Sequence, residues 1–410
     1  MAATARPTVT AADIAAARPA VQALAPRTPV LSTRTFSERA GGTVMLKAEN
    51  LQRTGSFKVR GAAAKLAALG ERGCERGVVA ASAGNHGQAL AAAAAVRGVP
   101  CEVFMPDDAP LAKLEAARGH GAIVHLASGA VDDCIAAAQA RAEEGGLAFV
   151  HPFDDPDVIA GQGSVGLELL EDVPDLARIV VPVGGGGLCA GIAVAVKAAR
   201  PEVEVFGVQV AACAPFPESL QRGEPIQAQS SLTIADGIAV KRPGGLTLEL
   251  LGRLADDVVV VDEDETAEAM VLLMERCKLV VEGAGAVGVA ALLGGAVRAA
   301  ERGATVAVLS GGNVDAGLLA SIARRHETEA GRRLVLLTRV ADRPGNLAKL
   351  LDCVATTGAN IVDVAHVREG LDLHVRETAI ELVLETRGHE HAEAVLAALR
   401  DAGYVAQVLH

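Results

Sequence analysis

Residues 47–62 read Lys47-Ala48-Glu49-Asn50-Leu51-Gln52-Arg53-Thr54-Gly55-Ser56-Phe57-Lys58-Val59-Arg60-Gly61-Ala62, and the rest of the chain is organised around them. An apolar lead-in, Thr43 to Leu46, runs into a short polar turn. Thr54-Gly55-Ser56 then stands where a helix over Phe57 to Leu69 needs an N-cap. Lys58 therefore falls in the first helical turn. The positive helix end disfavours an ammonium there, and a water-poor pocket would lower its pKa further. A lysine treated in this way becomes a neutral amine able to form a Schiff base.

At 410 residues the chain suits two or three domains and buries a large core. Half of it is hydrophobic, yet it holds one Tyr, seven Phe and no Trp, so Ala, Val, Leu and Gly must build the interior. That composition fits helices packed closely on a sheet. A formal charge of −12 with no basic stripe excludes a nucleic-acid partner, and an anionic substrate needs a local positive site. The seven cysteines are scattered, odd in number and free of CxxC spacing, which implies a reduced, cytoplasmic protein. Met1 to Thr10 has no apolar core, so no signal peptide is expected. The uncharged run Ile179 to Val196 is long enough for a membrane span, but Pro182 and Gly184 to Gly187 divide it, and no membrane partner is expected.

After the Lys58 helix, strands and helices alternate, the pattern of an α/β fold with a largely parallel sheet covered on both faces. Expected strands are 78–81, 101–105, 122–126, 178–183, 204–210, 257–261 and 305–309. Expected helices are 11–24, 88–97, 111–118, 131–144, 159–170 and 188–199. A smaller lobe over about 45–147 and a second lobe would leave a cleft between them. From about Ala330 the order becomes βαββαβ, with strands 333–340, 361–367, 377–385 and 405–409 and helices 346–357 and 392–402. This is a ferredoxin-like module. The hydrophilic stretch Arg324 to Arg333 reads as the linker, dividing the chain into 1–328 and 329–410.

Three strand-to-helix turns carry candidate chemistry. In Val183-Gly184-Gly185-Gly186-Gly187-Leu188, glycines let successive N–H groups converge at a helix start, a phosphate cradle. No Lys-Ser or Lys-Thr follows, so it is not an NTPase loop, and its spacing fails the dinucleotide pattern. In Ala81-Ser82-Ala83-Gly84-Asn85-His86-Gly87, small residues admit a carboxylate while Asn85 can bond a ring hydroxyl. In Leu309-Ser310-Gly311-Gly312-Asn313, a serine hydroxyl can meet a ring nitrogen without imposing a charge.

Together with Thr233-Ile234-Ala235-Asp236-Gly237-Ile238 and Glu282-Gly283-Ala284-Gly285-Ala286, these motifs resemble the threonine dehydratases (threonine ammonia-lyases). These are fold-type II pyridoxal-phosphate enzymes with the two-lobed tryptophan-synthase β-like fold. The resemblance covers residues 10 to 325. Residues 330 to 410 resemble a single ACT regulatory domain, which in this family binds amino acids.

The resemblance implies pyridoxal 5′-phosphate as cofactor, held covalently by Lys58 and flanked by Phe57. Asn85 would meet the 3′-oxygen, Gly184, Gly185, Gly186, Gly187 and Leu188 the phosphate, and Ser310 the ring nitrogen. A neutral partner at that nitrogen suits elimination rather than racemisation or transamination. Ser82, Gly84, Asn85 and His86 would hold the substrate carboxylate, and Lys58 would take the Cα proton. L-Threonine would yield 2-oxobutanoate and ammonia. L-Serine dehydration, serine racemisation or a non-catalytic amino-acid-binding regulator are the alternatives.

Two departures bear on these. Serine racemases carry a second acid/base serine where this chain has Ala83. Their divalent-cation site needs carboxylates that Gln209-Val210-Ala211-Ala212-Cys213-Ala214-Pro215-Phe216 lacks, so no such metal is expected. His389-x-His391 reads as a solvated helix start. In the last domain, Asp342, Pro344, Gly345 and Asn346 form a turn that would receive an amino-acid effector, with Asn360 sharing the site across a subunit pair of a homodimer or homotetramer.

Overall fold

The computed structural model describes residues 8–82, 84–107, 109, 111–128, 131–368 and 373–409, so Ala83 lies outside the described residues. The chain divides into two compact units, Met1–Val314 and Asp315–His410.

In the first unit, α1 (Ala11–Leu24) precedes β1 (Val30–Ser32), α2 (Arg34–Ala40), β2 (Val44–Lys47) and α3 (Lys58–Cys74). An alternating series follows, with β3 (Val78–Ala81), α4 (Asn85–Arg97), β4 (Cys101–Pro106), α5 (Leu111–Gly119), β5 (Ile123–Ala127), α6 (Val131–Gly145) and β6 (Ala148–Phe149). The next series runs α7 (Pro156–Asp172), β7 (Leu176–Pro182), α8 (Gly187–Ala199), β8 (Glu204–Val210), α9 (Pro215–Arg222) and α10 (Gly245–Leu254). It closes with β9 (Asp257–Val261), α11 (Glu263–Leu272), α12 (Gly283–Leu293) and β10 (Ala304–Val308).

Two sheets result. The smaller has the order β5-β4-β3-β6 and is wholly parallel. The larger has the order β1-β2-β10-β7-β8-β9, parallel except at its edge strand β1. Continuous apolar runs such as Ile179-Val180-Val181 are buried on both faces, as parallel strands under helices require. The interior is built from small residues as composition implied; Ala89 to Ala94 of α4 and Gly187 to Val196 of α8 are buried throughout.

A charged cluster also lies in this interior, where β2 and α3 meet α7. Lys47, Glu49 and Arg60 are fully buried and Glu168 nearly so. Arg60 donates to both Glu49 oxygens, to both Glu168 oxygens and to Ser164 Oγ. Lys47 Nζ donates to Glu168 at 2.6 Å and to the Thr28 carbonyl at 2.7 Å. Two cations and two carboxylates cancel, and hydrogen bonds fill their remaining valences, the condition under which buried charge is tolerable.

Helix starts differ from the sequence expectation. Phe57, not Thr54-Gly55-Ser56, is the N-cap of α3, and no side chain caps it. Ser56 is instead drawn into a bridge with Gly311, and its Oγ is buried without a partner. Helix α4 begins at Asn85 rather than Gln88, because Gly84 is extended (φ −160°) and its N–H is bound by Ser82 Oγ at 3.1 Å.

The second unit contains α13 (Ala316–Glu329), β11 (Arg333–Ala341), α14 (Asn346–Thr356), β12 (Asn360–Val367), β13 (Glu377–Glu385), α15 (His389–Asp401) and β14 (Ala406–Leu409). Its antiparallel sheet has the order β12-β13-β11-β14, the ferredoxin-like arrangement. Leu334, Leu336, Ile380, Leu382 and Leu384 form its core with Leu350, Val354, Val395 and Leu399 of the helices. The division falls at Val314/Asp315 rather than 328/329, because α13 packs against β11. His391 is not simply solvated, since its Nε2 lies 3.0 Å from the Thr357 carbonyl and its Nδ1 accepts from Arg387 N–H. Among the described residues no helix is long and apolar enough to cross a membrane.

Candidate active site

The turns that follow β3 and β10 are joined through the Asn85–Asn313 hydrogen bond, and Phe153 packs on the turn that follows β7, at the strand ends where parallel sheets gather ligands. Lys58 begins α3, half-buried, with Nζ donating to the Pro152 carbonyl at 2.8 Å and lying 5.3 Å from the Phe57 ring centroid. Burial pulls its pKa down to about 8, with nearby Glu282 opposing the shift. Desolvation is the cause of that shift, the second of the two causes the sequence suggested.

The residue after Pro152 connects Lys58 to the tetraglycine turn. Phe153 packs against Gly185 and Gly187 so closely that a Cβ at Gly185 would fall inside its ring. Gly186 has φ +95° and caps α8, a conformation L side chains resist. Thr247 Oγ1 donates to the Gly185 carbonyl at 2.7 Å and so braces the turn from α10. Asp154 in turn caps α10 by accepting from the N–H groups of Gly245, Leu246 and Thr247. At the start of α8 the N–H groups of Gly187 and Leu188 have no helical acceptor, which leaves them free for an anion.

Ser310 is buried, its backbone carbonyl accepting from Phe57 N–H at 3.0 Å. Its Oγ reaches only the Ala284 carbonyl, at a long 3.5 Å, so the hydroxyl is available. Asn85 is held at both ends of its amide. Its Nδ2 donates to Glu282 Oε1 at 2.7 Å and its Oδ1 accepts from Asn313 Nδ2 at 2.8 Å.

Ser82 and Gly84 complete the turn before α4. His86 is buried, with Nε2 3.0 Å from the Val150 carbonyl, and burial drives its pKa down to about 3, with Lys58 adding to the shift. The imidazole is therefore neutral, and Nε2–H donates to that carbonyl. Gln209 stands at the end of β8, where its Nε2 donates to the Val183 carbonyl and its Oε1 accepts from Phe216 N–H. An uncharged amide thus ties the tetraglycine strand to α9. No group of three His, Cys, Asp or Glu side chains able to hold a metal occurs among the described residues.

Glu282, Asn313, Thr247 and Phe153 received no role from the sequence. Glu282 and Asn313 sat inside motifs already singled out, but nothing in linear order pairs them with Asn85, which is 197 and 228 positions away.

In the second unit, Gly345 (φ +89°) caps α14 and Asn346 Nδ2 donates to the Ala341 carbonyl. Pro344 lies between them and Asp342, which is paired with Arg368 at 3.0 Å. Asn360 is not beside them. It lies opposite Glu385, whereas Ala341 lies opposite Glu377, so the turn and Asn360 mark opposite ends of the strands.

The cleft fits pyridoxal phosphate. A neutralisable amine, a turn that admits no Cβ before a helix start, a free hydroxyl and an anchored amide are what its aldehyde, phosphate, ring nitrogen and 3′-oxygen require. The sequence pattern described as "Pyridoxal-phosphate dependent enzyme" matches residues 21–311. The chain is 45% identical over 402 residues to an L-threonine ammonia-lyase of Thermotoga maritima, covering 98% of this chain and 100% of that protein. Among solved structures, maize serine racemase aligns with a TM-score of 0.74 at 34% identity, over 79% of this chain and 99% of the other. The processed form of threonine deaminase isoform 2 from Solanum lycopersicum aligns at 0.72 and 32% identity, over 78% and 90% of the two chains.

Proposed function

This chain belongs to the pyridoxal-phosphate dependent enzyme family, and from that membership we propose that it is an L-threonine ammonia-lyase, converting L-threonine to 2-oxobutanoate and ammonia. The observation that carries the reading is Lys58, whose desolvated amine bonds the Pro152 carbonyl next to Phe153 on the tetraglycine turn, while its neighbour Phe57 is bonded to Ser310. When bound, the cofactor supplies a carbonyl that links an amine and a ring that delocalises the electron pair left at Cα.

The chain's own groups do the rest. Gly184 to Gly187 and Leu188 hold the phosphate through N–H groups, and Phe57 flanks the ring. Asn85 offers an N–H to the 3′-oxygen, and Ser310 meets the ring nitrogen without charge. Ser82, Gly84, Asn85 and His86 form the carboxylate cradle, with the start of α4 supplying positive potential in an acidic protein. Lys58 Nζ, a free base in part at neutral pH, takes the Cα proton.

The second unit is proposed to be an ACT-type regulatory domain that binds an amino-acid effector at the Asp342–Asn346 turn, with Asn360 supplied by a second copy of the chain. Such a homodimer or homotetramer works in a reducing cytoplasm, a location supported by seven free thiols. The test is release of 2-oxobutanoate from L-threonine and of pyruvate from L-serine, with and without isoleucine and valine. Lys58→Ala is expected to abolish release and to prevent borohydride from fixing cofactor to the protein. Undiminished release by that variant overturns the reading.

A further inference from the structure

Glu282 is a buried acid beside the cleft for which the reaction above has no use. It is delivered by an irregular stretch of chain. A π-helical turn, Leu273–Cys277, ends in Lys278 with φ +61°, and Glu282 then caps the start of α12. Strained backbone of this kind persists where the surroundings over-determine it. Glu282 N–H donates to the Gly311 carbonyl at 3.1 Å, which fixes the residue against the Ser310 turn. Its carboxyl lies so close to Gly311 that a Cβ there would meet Oε1.

The contact that matters is with Asn85. A primary amide can be turned either way in the same space, and the two ends differ completely in what they offer. Asn313 Nδ2 lies 2.8 Å from the Thr54 backbone carbonyl, which can only accept, so it is a donor, and it also faces the amides of Asn85 at 2.8 Å and Gln88 at 3.4 Å. Asn85 must then turn Oδ1 toward Asn313 and Nδ2 toward Glu282. The reverse orientation would set N–H against N–H at the Asn313 end, and it would face the ionised form of Glu282 with an oxygen. One Nδ2 hydrogen goes to Glu282, and the second is left to point elsewhere.

We propose that Glu282 is a positioning residue, which with Asn313 locks the Asn85 amide so that an N–H, never the carbonyl, is offered to the 3′-oxygen of the cofactor. The inference rests on the proposed function and deepens it. Glu282 touches neither substrate nor cofactor in this role; it acts through Asn85. A half-turned amide would present its oxygen to an oxyanion and repel it, so orientation and not mere presence of Asn85 sets its worth.

The experiment uses the full chain loaded with pyridoxal phosphate. Wild type is compared with Asn85→Ala, Glu282→Met, Glu282→Gln, Asn313→Ala and the double variant Asn85→Ala/Glu282→Met. The readouts are cofactor Kd, the visible absorption spectrum, melting temperature and the borohydride-fixed adduct on Lys58. Glu282→Met keeps length but has no acceptor, and is expected to weaken cofactor binding about tenfold, the scale of one hydrogen bond to a charged group. Glu282→Gln retains an acceptor oxygen and is expected to stay within about threefold of wild type with an unchanged spectrum. Asn313→Ala, which frees the other end of the amide, is expected to lose affinity as Glu282→Met does, and so serves if the latter fails to fold. The double variant is expected to bind no more weakly than Asn85→Ala alone, since positioning is lost once its object is gone. Losses that multiply in the double variant, or a Glu282→Met protein with wild-type affinity and spectrum, overturn the inference and leave the proposed function standing. Absence of any adduct on wild-type Lys58 overturns both.

Discussion

Arg60 meets Glu49 through two parallel hydrogen bonds, Nε to Oε2 and Nη2 to Oε1, each 2.8 Å long and wholly excluded from solvent. Burial alone would keep Glu49 protonated, and Arg60 is what reverses that, holding its carboxyl below the usual range. Because Arg60 lies in the first turn of α3, two residues after Lys58, the same contact pins the backbone that carries Lys58.

Arg60→Met is therefore expected to be severe. It leaves Glu49 and Glu168 facing each other with only Lys47 between them, and breaking a buried ion pair from one side costs about 3–5 kcal/mol. Urea denaturation of the apoprotein measures it. A loss under about 1 kcal/mol would mean the cluster contributes little beyond filling space.

Lys58 has the opposite sign. Its folded pKa of about 8 lies below the ordinary lysine value of 10.5, so between those pH values the unfolded chain binds more protons than the folded one. The amine thus costs stability below pH 8, and the cost is relieved as pH rises toward 10.5. Lys58→Met is expected to stabilise the apoprotein at pH 7 by roughly 1–2 kcal/mol, with partial exposure discounted, while abolishing catalysis. In wild type, the rate of cofactor capture should climb with pH around a midpoint near 8. A midpoint near 10 in stopped-flow absorbance would contradict the desolvated site.

His86 bears on the acid limb. Its folded value of about 3 lies below the ordinary 6.5, so the unfolded chain gains a proton first as pH falls through that window. Stability contributed by neutral His86 is complete above pH 6.5 and drains away toward pH 3. His86→Asn should flatten the dependence of unfolding free energy on pH between those limits, as read by circular dichroism. An unchanged slope would assign acid sensitivity to other groups.

At the tetraglycine turn, Gly185→Ala must displace Phe153, and Gly186→Ala must hold φ +95°. The second costs about 1–2 kcal/mol in backbone strain alone. Both variants are expected to remain folded and to bind pyridoxal phosphate at least about tenfold more weakly. Equilibrium titration of cofactor fluorescence decides it, and wild-type affinity in Gly185→Ala would remove the turn from the binding site.

Much of this arrangement was legible in the linear chain, for a physical reason. Parallel strands under helices read as near-continuous apolar runs, and a glycine-containing turn after such a run marks where the chain leaves the sheet, so Val78-Val79-Ala80-Ala81 before Gly84 and Ile179-Val180-Val181 before Gly184 declare themselves. Lys58 was legible because a helix start follows its turn. What failed was local chemistry overruled by distant contacts. Ser56 looked like a cap but is claimed by Gly311, so Phe57 ends up capping α3 with nothing to offer it. Helix α13 follows the first unit in sequence with no break in composition, and only its packing on β11 assigns it to the second. Glu282 was in view as part of a motif, yet its meaning depends on which end of the Asn85 amide it faces.

The separation of Asn360 from the Asp342–Asn346 turn carries a consequence for control. Eight residue steps of strand place them about 26 Å apart along one chain, too far for a single amino acid to touch both. Sensing that needs both halves then becomes a property of association, governed by mass action. If the turn and Asn360 of a second copy hold an effector as proposed, dilution should silence the response to it before it slows turnover, because each chain carries its own Lys58 but would carry only half of that receptor.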